Sequence, residues 1–271
     1  MADDETYPRE LTAGDNFVAG PLPDDRDDRD EPGDEPVPED PAQLARDRVE
    51  LQAVDAELNQ RWPESKIAPS LDRITALLNL LGEPQGSYPV LQVAGTNGKG
   101  STARMIDALL STMGLRVGRY TSPHLQVVTE RIALDGQPIR PGRYVEVYRD
   151  LAPFLGLVDR AAGEGGQLMT KFEVLTGMAY AAFADAPVEV AVVEVGMGGS
   201  WDATNVADAQ VAAIAPISLD HTEYLGDDLK AIAAEKAGII KPGAVAVIGE
   251  QHPDVLRLLL ERAVEVDATV A

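Results

Sequence analysis

Apolar positions first recur at helical spacing. Leu44, Leu51, Val54 and Leu58 share one face of a predicted helix that opens at Asp40-Pro41-Ala42-Gln43, where an N-cap acid, a first-turn proline and a glutamine able to close a capping box coincide. A second stripe, Leu71, Ile74, Leu77, Leu78 and Leu81, predicts a helix capped by Ser70 and stopped at Gly82. The period then changes. Short apolar runs at 90–94, 116–120, 188–195, 211–217 and 244–248 alternate with helical stretches, as expected of parallel strands joined by helical crossovers. One hairpin is predicted over 131–139, turning at Asp135-Gly136, and residues 266–271 look like the start of a further strand. The expected class is α/β, a mostly parallel sheet flanked by helices.

Charge divides the chain. Residues 1–40 hold 15 Asp and Glu against three Arg, a net of −12, which leaves −10 of the total −22 for the other 231 residues. The first segment has too few apolar side chains to offset the entropy of ordering, so residues 1–40 are expected to form a disordered acidic tail and 41–271 a folded domain. Such an acidic chain should repel nucleic-acid phosphates and anionic lipid. The absence of cysteine excludes disulfides, thiolate metal sites and cysteine nucleophiles. With neither a membrane-length apolar run nor a signal peptide, the expectation is a cytoplasmic protein without nucleic-acid or membrane partners.

The apolar run at 90–94 leads directly into Gly95-Thr96-Asn97-Gly98-Lys99-Gly100-Ser101-Thr102, and a helix follows as far as Gly114. Strand, glycine-rich loop and helix in that order suit phosphate binding. Backbone N–H groups converge at a helix N-terminus, Lys99 can neutralise phosphate charge, and the Ser101 hydroxyl can reach Mg²⁺. Gly100 separates the lysine from the serine, so the loop departs from the strict GxxxxGK[ST] form. A plain glycine-rich turn is the alternative.

Three more groups lie near predicted strand ends or on a helix: Glu194 before Gly196-Met197-Gly198-Gly199, His221 after the run ending at 217, and Lys236 in Glu235-Lys236-Ala237-Gly238. Taken alone, each has a bland explanation as a solvated edge, a cap or a surface lysine. Together the motifs resemble the folylpolyglutamate synthase and dihydrofolate synthase family of the Mur ligase superfamily. The resemblance covers about residues 66–271 and rests on GTNGKGST at 95–102, TSPHL at 121–125, ERI at 130–132, VEVGMGG at 193–199, DATN at 202–205, LDHTEYLG at 219–226 and EKAGII at 235–240.

The resemblance implies a P-loop fold of the Mur ligase central-domain type. It implies that ATP binds at residues 95–102, with Lys99 catalytic. It further implies one Mg²⁺ on Ser101 and Glu194, a second on Glu194 and His221, and carbamylation of Lys236 to an oxygen ligand, His221 and Lys236 counting among the catalytic residues; a monovalent cation such as K⁺ is also compatible. Ser122, His124, Thr170, Phe172, Asp202 and Ala203 would surround the pterin-bearing substrate, although Phe172 equally suits core packing. The implied reaction is ATP-dependent addition of L-glutamate to folate, and to dihydropteroate, through an acyl phosphate, by a monomer. Two departures stand out. Ser200 replaces the arginine usual after the paired glycines, and the C-terminal Rossmann-like domain of the family, with its DGAHNP-like motif, is absent from the 271 residues. A truncated or non-catalytic nucleotide-binding module, or a Mur-type cell-wall peptide ligase, therefore stays open.

Overall fold

A computed structural model describes residues 40–63, 69–220, 222–225 and 227–271. The expected tail, apart from Asp40, and His221 lie outside the described residues. Helix α1 (Pro41–Leu58) begins where its cap places it, with the Asp40 side chain accepting the Ala42 N–H at 3.0 Å. Gln43 does not close a capping box: its Oε1 accepts from Arg46 Nη2 at 2.7 Å, while its NH2 donates to Asp47. In α2 (Asp72–Leu80) the stripe Ile74, Leu77 and Leu78 is fully buried, worth roughly 2 kcal/mol per side chain. Ser70 accepts the Asp72 N–H, so its turn lies just outside the helix that it was expected to cap.

The sheet contains β1 (Val90–Ala94), β2 (Val117–Tyr120), β3 (Ile132–Leu134), β4 (Gln137–Pro138), β5 (Val190–Glu194), β6 (Val211–Ile214), β7 (Val245–Ile248) and β8 (Thr269–Val270), in the order β4-β3-β2-β5-β1-β6-β7-β8. Strands β2, β5, β1, β6, β7 and β8 run parallel, and the β3–β4 hairpin pairs antiparallel with β2. Central β1 aligns Val93 with Glu194 on β5 and Ala94 with Ile214 on β6. The chain leaves β1 toward β2 on one side and returns through β5 to β6 on the other. This reversal opens a crevice at the strand C-termini, where open α/β sheets bind ligands.

Helices cover both faces. With α1 and α2, α4 (Pro141–Ala161) and α5 (Lys171–Asp185) build the larger core, around Tyr120, Tyr144, Leu151, Tyr180 and Phe183. On the other face α3 (Lys99–Thr112) packs Ala103 on Val93, Val117 and Val192. The short α6 (Thr222–Leu225) precedes α7 (Leu229–Ala237), which packs with α8 (Pro253–Glu265) through Ile232, Ala233, Val255 and Leu259. Strand β6 ends at Ile214, three residues short of the apolar run, because the chain beyond it bends over the loop after β1. Among the described residues no helix is long and apolar enough to cross a membrane.

Candidate nucleotide and substrate site

The loop after β1 enters α3 through Gly98, whose φ of 81° lies in the left-handed region that favours glycine. The first-turn amides of Lys99, Gly100 and Ser101 have no carbonyl one turn back and face outward from the helix end. The loop is also strapped from the far side. The Pro216 carbonyl accepts Thr96 N–H at 3.0 Å and Asn97 N–H at 3.4 Å, and the Thr96 hydroxyl donates to the Ser218 carbonyl at 2.9 Å while accepting Ser218 N–H at 3.1 Å. Lys99 folds back, its Nζ 3.4 Å from the Thr96 carbonyl oxygen.

Glu194 ends β5, and only 4% of it is exposed. Its Oε2 accepts Ser122 N–H at 3.1 Å, and a Cβ on Gly100 would come within 3.3 Å of the same oxygen. Burial raises the carboxyl pKa, against which act the Ser122 N–H and the charges of Lys99 and Arg104.

Lys236 sits in the last turn of α7 and is 2% exposed. Burial, followed by the charge of Lys99, lowers its pKa to about 8, with Asp220, Asp202 and Glu235 acting in the opposite direction. Beside it Ser200 donates from its hydroxyl to Glu235, and its N–H donates to the Glu235 carbonyl at 3.0 Å. Ser200 is thus anchored to the residue preceding Lys236.

The remaining expected site residues fall into two kinds. Phe172 is half-buried, with its ring 6.1 Å from that of Tyr120 and so close to Gly196 that a Cβ there would meet Cζ at 2.4 Å. Ser122 and His124 occupy the loop after β2. Thr170, by contrast, caps α5: its hydroxyl accepts Glu173 N–H at 3.2 Å and its own N–H donates to the Glu173 carboxylate at 2.7 Å. Asp202 is buried and accepts from Met197 N–H and Thr204 N–H, both at 2.9 Å, and from the Thr204 hydroxyl, with Ala203 buried in the turn that follows. Its oxygens are occupied within the protein, although burial raises its pKa.

Lys99, Gly100, Glu194 and Ser122 therefore meet at the ends of β1, β2 and β5, and Lys236 is close enough to feel Lys99. Sequence reasoning missed Arg104, one turn into α3 and acting on Glu194, and Ser218, which ties down the phosphate-loop candidate. An arginine on the exposed face of the helix after such a loop was a legible signal, whereas Ser218 carried none. Among the described residues no three His, Asp or Glu side chains group closely enough to hold a metal ion.

No protein-family model matches the chain. Against individual proteins it is 59% identical over 224 residues to the dihydrofolate synthase/folylpolyglutamate synthase of Mycobacterium tuberculosis, a match of 79% of this chain and 46% of that protein. Its fold matches the Mycobacterium tuberculosis folylpolyglutamate synthase complexed with ADP at a TM-score of 0.78 and 56% identity, covering 83% of this chain and 50% of the other. It also matches an FPGS–AMPPCP–folate complex at a TM-score of 0.76 and 35% identity, covering 81% of this chain and 53% of the other. The chain spans about half the length of the relatives that it matches. With its ordered motifs and this extended similarity of sequence and fold, the chain belongs to the dihydrofolate synthase/folylpolyglutamate synthase family.

Proposed function

We propose that this chain carries the ATP-binding part of a ligase that adds L-glutamate to folate, and to dihydropteroate, through an acyl phosphate. The observation that carries this is the buried Glu194 carboxylate held against Gly100 at the head of α3, with Lys99 close by. The names of the matched proteins, solved with ADP or with AMPPCP and folate, support the same chemistry.

In the proposed reaction a substrate carboxylate oxygen attacks the γ-phosphorus of ATP and ADP leaves. The glutamate amine then attacks the acyl carbon, phosphate leaves, and the amine proton passes to solvent. No protein nucleophile is needed, so catalysis is mostly positioning and charge neutralisation. The first-turn amides of α3 and Lys99 bind phosphate oxygens. A hard cation suits the donor set, because Glu194 is a buried oxygen donor and Ser101 adds a hydroxyl. Those two residues, with His221, would hold Mg²⁺, which when bound offsets phosphate charge. Held partly neutral by burial, Lys236 offers an amine that can add CO₂, forming an N–C bond and releasing a proton, to become an anionic oxygen ligand. Phe172, half-buried and backed by the core residue Tyr120, offers an aromatic face to the pterin. Glutamate binding is assigned to the half of the relatives that this chain does not match.

The test supplies the chain with ATP, Mg²⁺, L-glutamate and either folate or dihydropteroate, and measures phosphate release alongside glutamylated product. Product formation, lost in Lys99→Ala, is the expected result for a chain competent alone. Phosphate without product would fit the ATP half-reaction. Nucleotide binding without turnover favours a binding module, a second possibility motivated by the half-length match. ATP affinity unaffected by Lys99→Ala would overturn the site.

A further inference from the structure

The loop from Thr121 to Arg131 is closed on itself. Thr121 N–H donates to the Arg131 carbonyl at 2.9 Å, and the Glu130 carboxylate gathers three successive amides, Leu125 at 2.8 Å and Gln126 and Val127 at 3.0 Å each. Those N–H groups hold the Glu130 carboxyl below its usual range. So pinned, the loop makes one bond toward the nucleotide site, Ser122 N–H to Glu194, and turns His124 toward Arg131.

Arg131 is buried and donates through Nε to His124 Nδ1 at 2.9 Å. A guanidinium is always protonated and has no acceptor, so Nδ1 must keep its lone pair. An imidazolium, or the tautomer with hydrogen on Nδ1, would set two N–H groups against each other. The only neutral form left carries its proton on Nε2.

We propose that Arg131 locks His124 as a neutral imidazole protonated on Nε2, making it a fixed hydrogen-bond donor to an acceptor oxygen of the folate-type substrate rather than a proton acceptor. The tautomer stands on the geometry alone, whereas the identity of the ligand rests on the function proposed above. Charges around the ring favour the same state. Burial lowers the pKa of His124, as do Arg131 in its own loop and Lys171 on α5, while Asp55 on α1 and Glu130 act in the opposite direction. The Lys171 ammonium is itself tied to α1, donating to Asp55 Oδ1 at 3.1 Å and Asn59 Oδ1 at 2.6 Å. Arg131 is here a positioning residue, acting through His124.

The experiment is nitrogen-15 NMR of the whole chain with labelled histidine, free and with folate added. The sequence has three histidines, so His124→Gln identifies the signal. The expected spectrum has hydrogen on Nε2 and a bare Nδ1, a state that persists below the ordinary histidine midpoint of about 6.5. Folate should shift the Nε2 signal. His124→Ala should weaken folate binding roughly tenfold, and His124→Gln, which keeps an N–H near the Nε2 position, should restore most of it. Hydrogen on Nδ1, or titration at the ordinary midpoint, would overturn the lock. The expected tautomer with a folate-insensitive signal and unchanged affinity in His124→Ala would overturn the donor role. Failure of the nucleotide assignment would appear separately, as ATP affinity indifferent to Lys99→Ala.

Discussion

Glu194 and Gly100 face each other across the crevice: a Cβ added to residue 100 would come within 3.3 Å of Oε2 of the glutamate. The extra glycine between Lys99 and Ser101 thereby acquires a physical reason. It lets the end of β5 approach the head of α3 closely, as the proposed sharing of one cation between strand and helix requires.

Gly100→Ala should therefore displace the carboxylate by a few tenths of an ångström. Helix propensity favours alanine over glycine by about 1 kcal/mol, so stability should hold or rise. Affinity for Mg²⁺–ATP should fall about tenfold, the size of loss typical when a metal ligand is disturbed from outside. Calorimetric titration beside a thermal melt separates the two effects, and a parallel loss of both would point to misfolding.

Lys236 predicts a pH dependence with a definite sign. Its folded pKa, about 8, lies below its unfolded value of 10.5, so between those limits the unfolded chain binds the extra proton. The penalty for burying the ammonium is fully present below about pH 8 and is relieved as pH rises toward 10.5, by at most about 1.4 kcal/mol per pH unit. Lys236→Met should flatten that rise in urea-unfolding curves. Trapping of ¹³C-labelled CO₂ on Lys236 should follow the same midpoint near 8, whereas an exposed lysine would need a pH nearer 10.

Asp202→Ala should be among the more damaging substitutions for the fold. It strands the Met197 and Thr204 amides and the Thr204 hydroxyl in a buried turn, at a cost of about 2–4 kcal/mol. Denaturant unfolding measures this directly. Asp202→Asn, which keeps one acceptor, should lose roughly half as much.

Local and periodic features were legible in the sequence. The parallel strands, the Asp135-Gly136 hairpin, the Asp40 cap and the glycine-rich entry to α3 each follow from residues within a few positions of one another. What stayed hidden depends on partners far apart in the chain. Strand β6 stops at Ile214 because the Pro216 carbonyl turns toward Thr96 and Asn97, 120 residues away. The capping roles of Thr170 and Asp202, which bond within their own turns, were not read from the sequence either. The Gln43 capping box failed because its Oε1, the atom that would accept the N-cap N–H, accepts from the Arg46 guanidinium instead.

The most direct test of the nucleotide assignment is equilibrium binding of AMPPCP to the wild-type chain and to Glu194→Gln, each with and without Mg²⁺. If Glu194 holds the cation, Mg²⁺ tightens wild-type binding by about tenfold or more, Glu194→Gln loses that gain, and metal-free affinity changes little. A Glu194→Gln chain that keeps the full Mg²⁺ gain would contradict the account.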